Sequence, residues 1–188
     1  MTNYFAILDL PETLILNQEQ VAEAWHSKTQ SSHPDATQSE GATENTAAVN
    51  QARAALSDPA HRLEHWLSLK AGQTSTDRTI DPGLMDLFTE LHAILENADS
   101  VIQRNRKAST ALAKALLSKE AIAAQLGLQA KMQNIQVMKN TITDQFAAFE
   151  TEGGNGVFDN AGRNLGQLKF LRKWEQQSQD RLLSLLEC

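Results

Sequence analysis

The spacing of apolar residues in the second half of this chain leaves little choice of fold. Leu84, Leu87, Phe88, Leu91, Ile94 and Leu95 recur at steps of three and four, and so do Leu128, Met132, Ile135, Met138, Ile142, Phe146 and Phe149. Such steps gather the apolar side chains on one stripe of a helix, and the stripe must be covered by other helices. No sustained alternation of Val, Ile, Thr and aromatics marks a half-buried strand. Ala, Leu, Gln, Glu and Lys dominate, and these are helix formers. The fold class expected is all-α. A chain of 188 residues makes one large domain or two small ones, and needs no metal or disulfide staple.

The first half reads as shorter helices. Tyr4-Phe5-Ala6-Ile7-Leu8 is one apolar turn and a half, ended near Pro11. Asn17 is a good N-cap for a helix carrying Val21, Ala24, Trp25 and Lys28. That helix must stop before Pro34, because a residue preceding proline avoids the α region. Val49, Ala52, Ala55 and Leu56 face one side of the next helix, and Pro59 opens another holding Leu63, Trp66, Leu67 and Leu69. The small polar run from Ala71 to Asp77 reads as a linker. The division expected is 1–72, a linker at 73–81, and 82–188. In the second part, helical pattern from Leu112 through Ala115, Leu116 and Ile122 reaches Gly127, and a new stripe starts at Leu128. A final helix runs from about Phe158.

Charge excludes some partners. The net charge is −6, which argues against non-specific nucleic-acid binding. Residues 1–72 hold four Lys and Arg against nine Asp and Glu, so most of the excess lies there. No apolar run approaches the ~20 residues that span a bilayer. The start, Met1-Thr2-Asn3-Tyr4-Phe5, has no secretory pattern, so a cytoplasmic protein without membrane partners is expected. The single Cys, Cys188, can form neither an internal disulfide nor a Cys-cluster metal site.

The chemistry concentrates at His33-Pro34-Asp35, where a helix ends. Proline fixes the backbone there, so His33 and Asp35 project from a rigid loop. No Ser or Cys nucleophile is placed beside them, so an enzyme is not expected. His61 and His65 lie one helical turn apart, but further metal ligands are missing. The pair reads as solvated or half-buried. Neither metal nor cofactor is expected.

Three segments in order, Asn3 to Leu10, His33-Pro34-Asp35, and Asn50-Gln51-Ala52-Arg53-Ala54-Ala55-Leu56-Ser57-Asp58-Pro59, resemble the J domain of DnaJ co-chaperones. The resemblance covers about residues 3–62. It implies a helical hairpin with a His-Pro-Asp loop that docks on a DnaK-type chaperone and stimulates its ATPase. The docking residues implied are His33, Pro34, Asp35 and Lys28. Ser32 stands where the family has Tyr, and Ala36 where it has Lys. The helix before the loop offers Lys28 and His26 against Glu19 and Glu23, so charge steering should be weak.

Pro59-Ala60-His61-Arg62-Leu63-Glu64-His65-Trp66-Leu67-Ser68-Leu69 is similar to the stretch that follows the J domain in the HscB family of iron–sulfur co-chaperones. Leu84-Met85-Asp86 and Asn164 to Leu171 resemble later segments of that family, whereas residues 97–157 match poorly and look longer. This resemblance implies a C-terminal antiparallel helical bundle, an oligomerisation and scaffold-binding domain over 82–188, that binds the iron–sulfur cluster scaffold protein and presents it to an HscA-type chaperone. The scaffold surface implied comprises Leu84, Met85, Phe88, Glu96 and Phe170. The family's acidic positions fall on Thr89, His92 and Glu96, so only Glu96 is acidic. The alternatives are a J-domain adaptor for a different client and a helical interaction protein without chaperone activity.

A helical wheel gives an independent view. At 100° per residue, Ala161, Leu165, Leu171, Leu182, Leu183 and Leu186 fall within about 60° of Leu168 and form the expected core stripe. Phe170 and Trp174 fall roughly opposite, as a candidate patch unless a neighbouring helix covers them. Met85, Thr89, His92 and Glu96 gather on the flank of the Leu91 stripe.

Overall fold

The computed structural model describes residues 2–31, 41–71, 82–152 and 155–188, and no strand occurs among them. The helices are α1 (Tyr4–Ile7), α2 (Gln18–Ser31), α3 (Gly41–Ser57), α4 (Pro59–Lys70), α5 (Pro82–Lys107), α6 (Ala111–Thr143), α7 (Phe146–Thr151) and α8 (Asn155–Leu186). This is the all-α class that the periodicity demands.

Local chemistry sets the helix starts. The Asn17 carboxamide oxygen accepts the Gln20 N–H at 2.7 Å, while the Gln20 side chain accepts the Asn17 N–H at 2.9 Å. This reciprocal box satisfies two donors that a helix start leaves open. Asp58 caps α4 by accepting the His61 N–H at 2.9 Å, with Pro59 in the first helical position. Gly127 does not end a helix. It lies inside α6, where a Cβ would meet the Ile94 side chain at 3.6 Å, so the break expected there is absent. The stop falls instead after Thr143, which puts Phe146 and Phe149 on the separate α7.

The chain divides into two compact units, Met1–Asp77 with Thr143–Gly166, and Arg78–Ile142 with Gln167–Cys188. The first unit thus takes in a segment that the sequence division placed in 82–188. Its core includes Phe5, Leu8, Val21, Val49, Ala52 and Leu56, with Phe146 and Phe149 also buried. The Thr13 hydroxyl and the Leu14 N–H both donate to the Glu150 carboxylate. Asn164 donates to Gln145 at 2.9 Å, and Trp66 and Phe158 lie 6.1 Å apart. Arg62 is buried, and its Nη1 donates to the Leu56 carbonyl at 2.9 Å, which satisfies an open acceptor at the C-terminal end of α3. Burial pushes the guanidinium pKa down, against the opposing charges of Asp58 and Glu150.

His65 corrects the reading of a solvated or half-buried pair. It is buried, and its Nε2 accepts the Tyr4 N–H at 3.0 Å while the ring packs on Tyr4 and Phe5. That bond needs an unprotonated Nε2. Burial lowers the His65 pKa below its ordinary 6.5, with Glu12 acting weakly in the other direction. The unfolded chain therefore binds a proton more readily than the folded one. Stability is full above about pH 6.5 and declines as the pH falls towards the lower folded pKa. Thermal melts from about pH 7.5 to 5.5 should show this decline, and His65→Gln should flatten it. An equal decline in the variant would show that His65 is not its source. Glu12 acts in a separate window. Hydrogen bonds from Lys70 and Asn3 lower its pKa from 4.5, so its contribution is lost only as the pH falls below that value.

The second unit is a bundle of α5, α6 and the later part of α8. Glu90 pairs with Lys131 and Arg104 with Glu120, so α5 and α6 run antiparallel. Gln125 donates to the Leu185 carbonyl at 3.0 Å and Lys139 pairs with Glu175 at 2.8 Å, so α6 and α8 do the same. Arg181 bonds Asp99 at 3.2 Å between the parallel pair α5 and α8. Along α8, Asn164, Leu171, Ser178 and Leu185 are buried at intervals of seven, as are Ala161 and Leu168. A strict seven-residue repeat drifts about 20° per heptad against a straight helix. The stripe expected to end at Leu182, Leu183 and Leu186 therefore moves to Leu185, and leaves Leu183 and Leu186 exposed.

Candidate interaction surfaces

The first surface is the α2–α3 hairpin. Trp25 Nε1 donates to Asn50 Oδ1 at 2.8 Å, and the Arg53 guanidinium sits 4.0 Å over the Trp25 ring. Ala52 and Leu56 are fully buried behind them. The segment from Asn50 to Pro59 therefore reads as scaffolding. Asn50 pins the tryptophan, Ala52 permits close approach, Leu56 fills the core, and Asp58-Pro59 starts α4. Lys28 on α2 pairs with Asp9, which holds a left-handed backbone at φ 53°. The cation expected to meet a partner is thus already engaged within its own unit. His33, Pro34 and Asp35, with Ser32 and Ala36 beside them, lie outside the described residues, as does the linker at 73–81.

The second surface lies on the bundle. Met85 and Phe88 of α5 are 47% and 43% exposed, and Phe170 of α8 is 37% exposed. Between them stands Trp174, with its ring 5.6 Å from Phe88 and 6.1 Å from Phe170. Trp174 is only 7% exposed. The wheel paired Trp174 with Phe170, but the two part company because Phe88 covers the indole. Two exposed Phe rings thus share a tryptophan base, and Met85 lies one turn before Phe88 on α5. Leu84 does not join it. At 1% exposed it packs inside the bundle, because it heads the Leu84–Leu87–Leu91 stripe while Met85 falls on the flank.

The acidic rim is thin. His92 stacks on Phe88 at 5.9 Å and pairs with Glu96 at 3.4 Å. Glu90 is engaged by Lys131, and Thr89 donates to its own helix at the Met85 carbonyl. Among the described residues, no group of three or more His, Cys, Asp or Glu is gathered for a metal. No described helix is long and apolar enough to cross a membrane. Cys188 donates to the Ser184 carbonyl at 3.6 Å.

Two comparisons with known proteins bear on the fold of this chain. Residues 3–65 match the family model of the DnaJ domain. The solved structure of Chaperone HscB from Vibrio cholerae matches over 96% of this chain and 99% of its own, with a TM-score of 0.57 and 24% identity.

Proposed function

With a DnaJ domain at its N-terminus and the overall fold of HscB, this J-domain protein is, we propose, an iron–sulfur co-chaperone. It stimulates the ATPase of a DnaK- or HscA-type chaperone and delivers the cluster scaffold protein to it. The J domain supplies the trigger through His33, Pro34 and Asp35, and Lys28 of α2 is the further docking residue the resemblance implies. The bundle supplies the client surface through Met85, Phe88 and Phe170, with Leu84 beneath and Glu96 at the rim. The observation that carries this reading is the exposed Met85–Phe88–Phe170 face on the unit that accompanies the J domain. Exposed apolar side chains, two of them rings seated on a buried tryptophan, suit a protein partner that must be held firmly and then released. A cytoplasmic site of action fits such a role.

The test is direct. The purified chain, added to the chaperone with ATP and the scaffold protein, should raise the steady-state hydrolysis rate severalfold. A flat rate sinks the trigger. A rise that does not depend on the scaffold, with no binding in titration, favours the second reading of an adaptor for a different client. The thin acidic rim, with His92 already holding Glu96, is the observation that keeps that reading open.

A further inference from the structure

The charge around Phe88 and Phe170 is uneven. From Asn160 to Trp174, α8 holds Arg163, Lys169, Arg172 and Lys173 and no acid, a local reversal in a chain of net charge −6. Lys169, Arg172 and Lys173 are exposed and bracket Phe170. Lys173 shares the Phe170 flank of α8, one turn on, and enters no ion pair among the described residues. The next acid, Glu175, is engaged by Lys139. α5 supplies no counterweight at this level. The Phe88–Trp174 and Asp99–Arg181 contacts set the two helices in parallel register, so Lys173 stands level with Phe88. Asp86 and Glu90 share the other flank of α5, where Glu90 meets Lys131 of α6. Asp99 is taken by Arg181. Glu96, paired with His92, lies about 12 Å along the helix from Phe88 at 1.5 Å per residue. That is beyond the ~10 Å over which exposed charges act on one another in 0.1 M salt.

Resting on the reading of this face as the client surface, we propose that the partner surface it takes is acidic. The scaffold protein seats an apolar side chain on Phe88 and Phe170 and sets an Asp or Glu beside it against Lys173. A lysine suits such a rim, because its flexible stem lets the ammonium follow a carboxylate while its methylenes extend the apolar floor. An exposed pair of this kind adds little affinity of its own but selects strongly, since a basic surface brought to the same rings meets like charge. The rings therefore supply the hold, and the cations of α8 decide which surface is held. A nucleic-acid strand is the poorer fit, because the negative charge of the rest of the chain opposes it.

Calorimetric titration of the full chain with the scaffold protein tests this. Lys173→Glu should weaken binding at least about tenfold and Lys173→Gln roughly threefold. Lys119→Glu makes the same change of charge at an exposed site on α6 and should bind like the parent. Both positions face solvent, so circular dichroism should show every variant folded. Raising the salt from about 50 to 500 mM should weaken the parent severalfold and Lys173→Gln less. A second probe does not depend on the scaffold. Two peptides share a Leu-Phe core, one flanked by Asp and Glu and the other by Lys and Arg. The acidic peptide should shift the NMR signal of the Trp174 indole, and the basic one should not. If Lys173→Glu binds the scaffold like the parent, the proposal is overturned while the client reading stands. A basic peptide or a single-stranded oligonucleotide that shifts Trp174 in place of the acidic peptide overturns it as well. A shift by the acidic peptide without scaffold binding removes the scaffold as client and upholds the acidic chemistry. Binding of neither overturns both.

Discussion

Replacing His33 by glutamine should leave the chain folded and the partner chaperone's ATPase at its basal rate. The expected size of the loss follows from what else the first unit offers a partner. On α2 the charged side chains are Glu19, Glu23 and Lys28, a net negative set, and Lys28 is held by Asp9. Attraction at a distance therefore contributes little, and the His-Pro-Asp loop must carry recognition. In an interface that leans on so few groups, losing one costs 2 kcal/mol or more, roughly thirtyfold in affinity. Single-turnover ATP hydrolysis, with circular dichroism to verify folding, reads both halves of the expectation. A companion measurement checks the electrostatic argument. Stimulation by the parent chain should change little between roughly 50 and 200 mM salt, where a contact dominated by exposed charges would weaken. Undiminished stimulation by His33→Gln would contradict the proposed trigger.

Much of this was legible in the residues, for reasons that also explain what was not. Caps are local, so Asn17 and Pro59 announced their helices, and the structure supplies the bonds they make. The segment Asn50 to Pro59 announced a family, but its work became visible only in three dimensions, because Trp25 and Arg53 are neighbours only after the hairpin closes. His65 was misread since spacing alone cannot distinguish a half-buried imidazole from one that accepts a backbone N–H sixty-one residues away. Gly127 looked like a stop because glycine weakens an isolated helix, yet α5 packs against it. The wheel went astray along α8 by assuming a straight helix, where the packed repeat is seven. Trp174 was grouped with Phe170 because a single helix does not show that Phe88 comes over from α5. Apart from the repeat along α8, the differences concern contacts between distant segments, which no local pattern encodes.

The same distinction makes the proposed client surface testable at the level of adjacent residues. Met85→Ala and Phe170→Ala should each weaken scaffold binding about tenfold or more while lowering the melting temperature much less than a core truncation, since both side chains are partly exposed. Leu84→Ala should do the reverse. Its side chain is buried, and truncation costs about 2–5 kcal/mol of stability through lost transfer energy and the cavity left behind. Once the fold is restored by lower temperature, its scaffold affinity should approach that of the parent. Trp174→Ala should fail on both counts, because the indole fills the bundle and supports the rings of Phe88 and Phe170. Calorimetric titration of the scaffold beside thermal melts of the same variants separates these outcomes. If Leu84→Ala alone abolished binding at a temperature where it is fully folded, while Met85→Ala and Phe170→Ala bound normally, the exposed aromatic face could not be the site. If Met85→Ala and Phe170→Ala weaken binding together, contact is assigned to side chains that the fold leaves uncovered, and Leu84 is left the task of holding them in place.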